Sequence, residues 1–201
     1  MVQGETRQEL MTDQEARRVL ERLAADIQES TLEGDDLLIV GIRRRGVELA
    51  ERIAATIADI QGEPVATGSL DIGLYRDDFG QIGPRPVIGT TELPGDITDR
   101  RVVIVDDVLF TGRTIRAALN ELSDFGRPRK IELCVLVDRG QRELPIQADY
   151  VGMRVEVPEG HQVSVAVPEL DGELHVALVR APSQNEESYR PPDREPASDH
   201  D

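Results

Sequence analysis

The chain has 201 residues, enough for one well-buried domain with a tail, and it contains no apolar run long enough to span a bilayer. Acidic residues outnumber basic ones 39 to 23, for a formal charge of −16, and Lys130 is the single lysine beside 22 arginines. That balance works against a broad electrostatic grip on nucleic acid and suits solubility in concentrated salt. The lone Cys134, inside "IELCVLV", has no internal disulfide partner, and the polar start "MVQGETRQELMTDQ" lacks the apolar core of a secretory signal. The expectation is a cytoplasmic protein with no membrane partner.

Residues 12–30 place Val19, Leu20, Leu23 and Ile27 at helical spacing, and Thr12 with Glu15 forms a capping-box signature. "DDLLIVGI" (35–42) reads as a buried strand, "RRRG" as a loop, and 47–60 as an amphipathic helix. A second strand is predicted over 64–75. An excursion rich in Gly, Pro and Asp follows, a hairpin flap over about 74–100. The third strand is "RVVIVDD" (101–107). A helix over 113–126 ends at Gly126 and Pro128, and "KIELCVLVD" (130–138) is the fourth strand. Short strands are predicted near 149–157, 162–167 and 174–180. Alternating strands and helices with continuously apolar strands predict an α/β domain over 1–180, built on a mostly parallel twisted sheet flanked by helices. Residues 181–201, rich in Pro, Ser, Glu and Asp, read as a disordered tail.

The chemistry concentrates in "VVIVDDVLFTGRTI" (102–115). Ligands of open α/β sheets bind at the carboxyl ends of strands. Thr111, Gly112 and Thr114 open a helix whose first amide groups lack intrahelical partners, which makes a cradle for a phosphate. Asp106 and Asp107 just before it suit hydroxyl donors or a hydrated divalent cation. A ligand with a phosphate at one end and a diol nearby, such as a ribose 5-phosphate, meets both demands. The plainer alternative is a turn-capping aspartate beside a solvated one. The Walker pattern GxxxxGK[ST] is absent.

"VVIVDDVLFTGRT" resembles the phosphoribosyl-diphosphate (PRPP) motif of type I phosphoribosyltransferases. "LLIVGIRRRG", "LYRDD" (74–78) and "VDRGQRELPIQADYVG" (137–152) narrow the resemblance, which covers about residues 12 to 180, to uracil phosphoribosyltransferases that also regulate pyrimidine operons. It implies the type I fold with a flexible flap and a small hood. It implies that Asp106 and Asp107 hold the ribose hydroxyls directly or through Mg²⁺. Leu109, Phe110, Thr111, Gly112, Arg113 and Thr114 would bind the 5-phosphate; Arg43, Arg44, Arg45 and Gly46 the diphosphate; and Val137, Asp138 and Arg139 uracil. Arg45 and Arg76, the latter on the flap, join the two aspartates as catalytic residues. Purine-type members commonly carry aspartate where this chain has Phe110, which points to a pyrimidine. The products would be UMP and diphosphate, and family members are homodimers or larger homo-oligomers. His161, His175 and His200 receive no role.

The resemblance also implies a pyrimidine-leader RNA as a partner, held by the first helix and the segment after "DRG". Arg18, Arg22 and Arg142 remain there. Glu21, Ala25, Ser30, Gln141, Gln147 and Met153 stand where such regulators carry donors or cations. Three readings stay open: an enzyme making UMP with RNA control weakened, an RNA-binding attenuator that retains a catalytic site, and a phosphoribosyltransferase for another base.

Overall fold

The computed structural model describes residues 7–32, 34–75 and 90–181. A five-stranded parallel sheet runs in the order β3-β2-β4-β5-β6, from β2 (Leu37–Ile42), β3 (Ala66–Leu70), β4 (Arg101–Leu109), β5 (Lys130–Asp138) and β6 (Tyr150–Arg154). Helices α1 (Asp13–Glu29) and α2 (Arg45–Gln61) cover one face, and α3 (Arg113–Leu122) covers the other. A smaller antiparallel sheet, ordered β1-β8-β7, forms a hood from β1 (Gln8–Met11), β7 (His161–Ala166) and β8 (His175–Arg180), with the one-turn helix α4 (Pro168–Asp171) between its last two strands.

Local signals explain most of these elements. The Thr12 hydroxyl accepts the Glu15 amide while Glu15 Oε2 accepts the Thr12 amide, so the capping box of α1 is complete. Its buried stripe is Ala16, Leu20, Leu23, Ala24 and Ile27. Every residue of β2 is buried, as a central strand covered on both faces requires. Cys134 is a free buried thiol of β5, and burial pushes its pKa up to about 12. Among the described residues no helix is long and apolar enough to cross a membrane.

Several boundaries differ from the predicted ones. The strand predicted over 64–75 stops at Leu70, and a 3-10 turn takes Ile72–Tyr75. Helix α3 ends at Leu122, four residues short of Gly126. Helix α2 starts at Arg45, so the last residues of "RRRG" belong to its first turn. The polar strand β1 has no apolar pattern to announce it and exists by pairing with β8. Of the predicted flap, residues 76–89 lie outside the described residues. The returning chain is pinned to β3 by paired backbone bonds between Ser69 and Glu92. The predicted tail lies outside the described residues beyond Ala181.

The sheet order reverses between β2 and β4, and α2 and α3 begin at the carboxyl ends of those two strands. That crevice is where an open parallel sheet offers a ligand site.

Candidate active site

Strand β4 does not end at the aspartates. It pairs with β5 through Val108–Val137 and Leu109–Asp138, so Asp106 and Asp107 sit inside the strand. Alternation holds up to Val105, with Val102 and Ile104 in the core under α3 and Val103 and Val105 in the core under α2. It breaks past the aspartates, where Val108 packs on the α2 side and Leu109 on the α3 side. The two aspartate side chains are hydrogen-bonded to each other. Asp106 is 6% exposed, and burial drives its carboxyl well above the ordinary range, with the Asp107 charge adding to the rise. Burial raises Asp107 too, opposed by the Val108 amide, which donates to Oδ1 at 2.8 Å, and by the nearby charge of Arg45.

Arg45 comes this close because the first turn of α2 rests on β4. A Cβ on Gly46 would lie 2.5 Å from the carbonyl oxygen of Val105, so only glycine permits that approach. The loop arginines differ in their engagement. Arg43 donates to the Ser69 hydroxyl at 3.0 Å and stands 3.6 Å from Glu92. Arg45 is paired with Asp171 of the hood at 3.1 Å. Arg44 is exposed. A cleft of about 670 Å³ opens beside Arg43 and Arg44 along β3, bordered by Ser69, Asp71 and Glu92.

The predicted anion cradle lies beyond Leu109. Gly112 occupies the N-cap of α3 at φ 92, and among the described residues no side chain caps the helix. The amides of Thr114 and Ile115 in the first turn of α3 are the ones left for an anion. Thr111 Oγ1 accepts the Arg113 amide at 3.3 Å. Arg113 turns outward and pairs with Glu143 at 2.7 Å. Leu109 is buried, so only its backbone faces the loop.

The third part is the segment after β5. The Arg139 guanidinium lies 3.9 Å over the Phe110 ring, and its Nε is buried without a hydrogen-bond partner among the described residues. Phe110 itself is 39% exposed. Val137 is buried in the core under α1 and α2. Burial works to raise the Asp138 carboxyl, but Arg142 and the Gly140 amide hold it below the ordinary range. Arg142 is a latch that local sequence does not reveal. It donates to Asp138 at 2.6 Å and to the carbonyls of Phe110, Gly140 and Ile146 at 2.8, 3.0 and 3.1 Å, tying the loop after β4 to the segment after β5.

The other residues predicted to meet RNA lie on α1. Arg18 is exposed. Arg22 donates to Asp26 and to the carbonyls of Val151 and Gly152 on β6. Arg76 lies outside the described residues.

An acidic pair, the N-terminus of α3 and an arginine loop beside Asp107 make up the candidate site. A family model for the phosphoribosyl transferase domain matches residues 7–173. The chain belongs to the phosphoribosyltransferase family. Within it the chain groups with proteins named bifunctional protein PyrR. The relative from Herpetosiphon aurantiacus is 54% identical over 166 residues, covering 83% of this chain and 93% of its own. The one from Thermus thermophilus is 53% identical over 170 residues, covering 85% and 94%. Among solved structures, a hypoxanthine phosphoribosyltransferase from Staphylococcus aureus matches with a TM-score of 0.64 at 21% identity, over 89% of this chain and 93% of that one. The Trypanosoma cruzi hypoxanthine enzyme in complex with IMP matches at 0.62 and 18%, over 90% and 94%. These structural likenesses establish the shared fold.

Proposed function

We propose that this chain is a uracil phosphoribosyltransferase, which converts uracil and PRPP to UMP and diphosphate. The observation that carries the reading is the mutually hydrogen-bonded Asp106–Asp107 pair near the end of β4, with the Arg45 charge beside it and α3 beginning a few residues on. The α3 amides with Thr111 and Thr114 take the 5-phosphate, the aspartates take the sugar diol, and Arg43 to Arg45 take the diphosphate. A guanidinium chelates phosphate oxygens in its own plane, which suits a leaving group with several charges. Substitution at the anomeric carbon breaks the bond to the diphosphate oxygen, whose electron pair leaves with it, and forms the bond to a ring nitrogen of uracil, which loses its proton. The protein's work is positioning and charge neutralisation; no nucleophilic side chain is required.

The acidic pair also fits Mg²⁺. Two adjacent carboxylates with raised pKa values, opposed by the charge of Arg45, are the hard oxygen donors that such an ion prefers. Among the described residues no three His, Cys, Asp or Glu side chains could hold a metal ion together, so the ion would share its coordination with the ligand's oxygens. When bound it would neutralise charge on the diphosphate.

Base preference rests on Phe110 and Arg139. A flat ring with an unengaged N–H beside it suits a pyrimidine and one of its carbonyl oxygens. The test is initial velocity with uracil, hypoxanthine, xanthine and adenine. Turnover with uracil alone supports the reading, and preference for a purine refutes it.

The relatives' name declares a second function, and for this chain we read the RNA role as weakened. Arg22 and Arg142 direct their donors into the fold, and Ser30 turns inward to Tyr150 and Arg101. A surface short of free cations loses the counterion release on which RNA affinity depends. Titration of a pyrimidine-leader stem-loop with and without UMP over a salt series decides it. Tight, UMP-dependent binding at physiological salt would overturn this second reading. The reading also includes a homodimer or larger homo-oligomer, which sedimentation can check.

A further inference from the structure

The hood reaches into the diphosphate loop through one carboxylate. Arg45 donates from Nε to Asp171 Oδ2 at 3.2 Å and from Nη2 to Oδ1 at 3.1 Å, across 126 positions of sequence. Two parallel bonds fix the plane of a guanidinium as well as its place. Asp171 is itself held. Its Oδ2 also accepts the Val167 amide at 2.9 Å, and its own amide donates to the Val167 carbonyl at 2.7 Å. A second ion pair, Arg52 with Glu169, ties the same turn to α2 two helical turns further on. Arg43 has a neutral hydroxyl and a distant, exposed glutamate in place of such a clamp. The Arg45 clamp uses Nε and Nη2 and, among the described residues, leaves Nη1 uncommitted.

We propose that Asp171 is a positioning residue for the diphosphate end of the ligand, holding Arg45 by one edge so that its other edge faces the leaving group. This rests on the assignment of Arg43 to Gly46 to diphosphate. A free arginine side chain would have to lose its rotamer freedom on binding, and the clamp has already fixed it. The Arg45 guanidinium holds the Asp171 carboxyl below the ordinary range, so the clamp stays charged through neutral pH. The geometry gives Asp171 no part in reading the base.

The experiment compares the full chain with Asp171→Asn, Arg45→Gln and the double variant. The asparagine keeps an acceptor for the Val167 amide, so the hood turn is preserved. PRPP binding is measured by calorimetry with Mg²⁺ and no uracil; diphosphate inhibition and both KM values come from steady-state kinetics. Asp171→Asn is expected to weaken PRPP binding and diphosphate inhibition about tenfold, the scale of one well-made charged contact, with the uracil KM within about twofold. The double variant is expected to match Arg45→Gln alone. Unchanged or tighter PRPP binding in Asp171→Asn, or an equal rise in the uracil KM, would overturn the inference. If Arg45→Gln itself leaves PRPP and diphosphate binding unchanged, the diphosphate assignment falls first. If Arg45→Gln weakens both and Asp171→Asn weakens neither, only the positioning role falls.

Discussion

Strand β4 carries buried charge at both ends, and the two ends are built by opposite rules. At its start, Arg101 is 2% exposed and fully satisfied: it donates to Glu132 at 2.6 Å, to Thr31 at 2.6 Å, to Ser30 at 2.7 Å and to Tyr150 at 2.9 Å. Burial works to raise Glu132, but Arg101 and Lys130 hold it below the ordinary range. At the far end, Asp106 and Asp107 share a like charge, and burial lifts both. The first cluster is closed on itself and staples α1, β4, β5 and β6. The second keeps two like charges together with the Arg45 charge nearby, and it is the candidate ligand-binding end.

The sharpest way to break this contrast is Arg101→Met. It removes the buried partner of Glu132, leaving the carboxylate only the exposed Lys130 ammonium and the Tyr150 hydroxyl, and removing one partner of a buried pair costs about 3–5 kcal/mol. The thermal midpoint should fall by roughly 10 °C for a chain of this size. The uracil KM of the folded fraction should be unchanged; a midpoint within about 2 °C of the parent would show that the network is not structural. Arg139→Ala at the other end should do the reverse. It should raise the uracil KM about tenfold, on the scale of a lost charged contact, while calorimetric stability stays within ~0.5 kcal/mol. A destabilised variant with normal KM would move Arg139 into the structural class.

The smallest effect tests a third buried carboxyl. Glu121 sits beside Thr91 at the root of the flap, accepts its hydroxyl, and has an Oε2 unpartnered among the described residues. Burial, with Asp71 and Asp124 adding, raises its pKa from 4.5 to about 7. A carboxyl raised in the fold costs stability once the unfolded chain ionises. Glu121→Gln should therefore be neutral below about pH 4.5, gain stability as pH rises to 7, and level off above that. A gain that shrinks with rising pH would reverse the assignment.

The candidate site was more legible in the sequence than the structural end of β4. An apolar strand, two acids and a Thr-Gly-Arg-Thr turn lie close together between residues 101 and 114, so the cradle could be read locally. What could not be read was that β4 continues through the acids, since that depends on its ladder with β5. Nor could local pattern show that Arg101 is a core residue. At the head of an apolar strand an arginine looks like a solvated flank, and its partners come from the end of α1 and the turn after it, from β5 and from β6. Arg142 and Asp171 were hidden for the same reason, because their roles are made of carbonyls and side chains distant in sequence. The hood strand β1 is polar, and its partner β8 lies at the other end of the domain.

The central claim is that the like-charged Asp106–Asp107 pair is kept for a ligand, and one paired measurement tests it most directly. Uracil-dependent diphosphate release and thermal stability at about pH 8, above the ordinary carboxylate range, are recorded on the same preparation of Asp106→Asn with Asp107→Asn. The account predicts that release is abolished while the midpoint rises by about 2–4 °C, the shift that ~1 kcal/mol of relieved repulsion gives a chain of this size. Undiminished release, or a midpoint that falls while release persists, would contradict it.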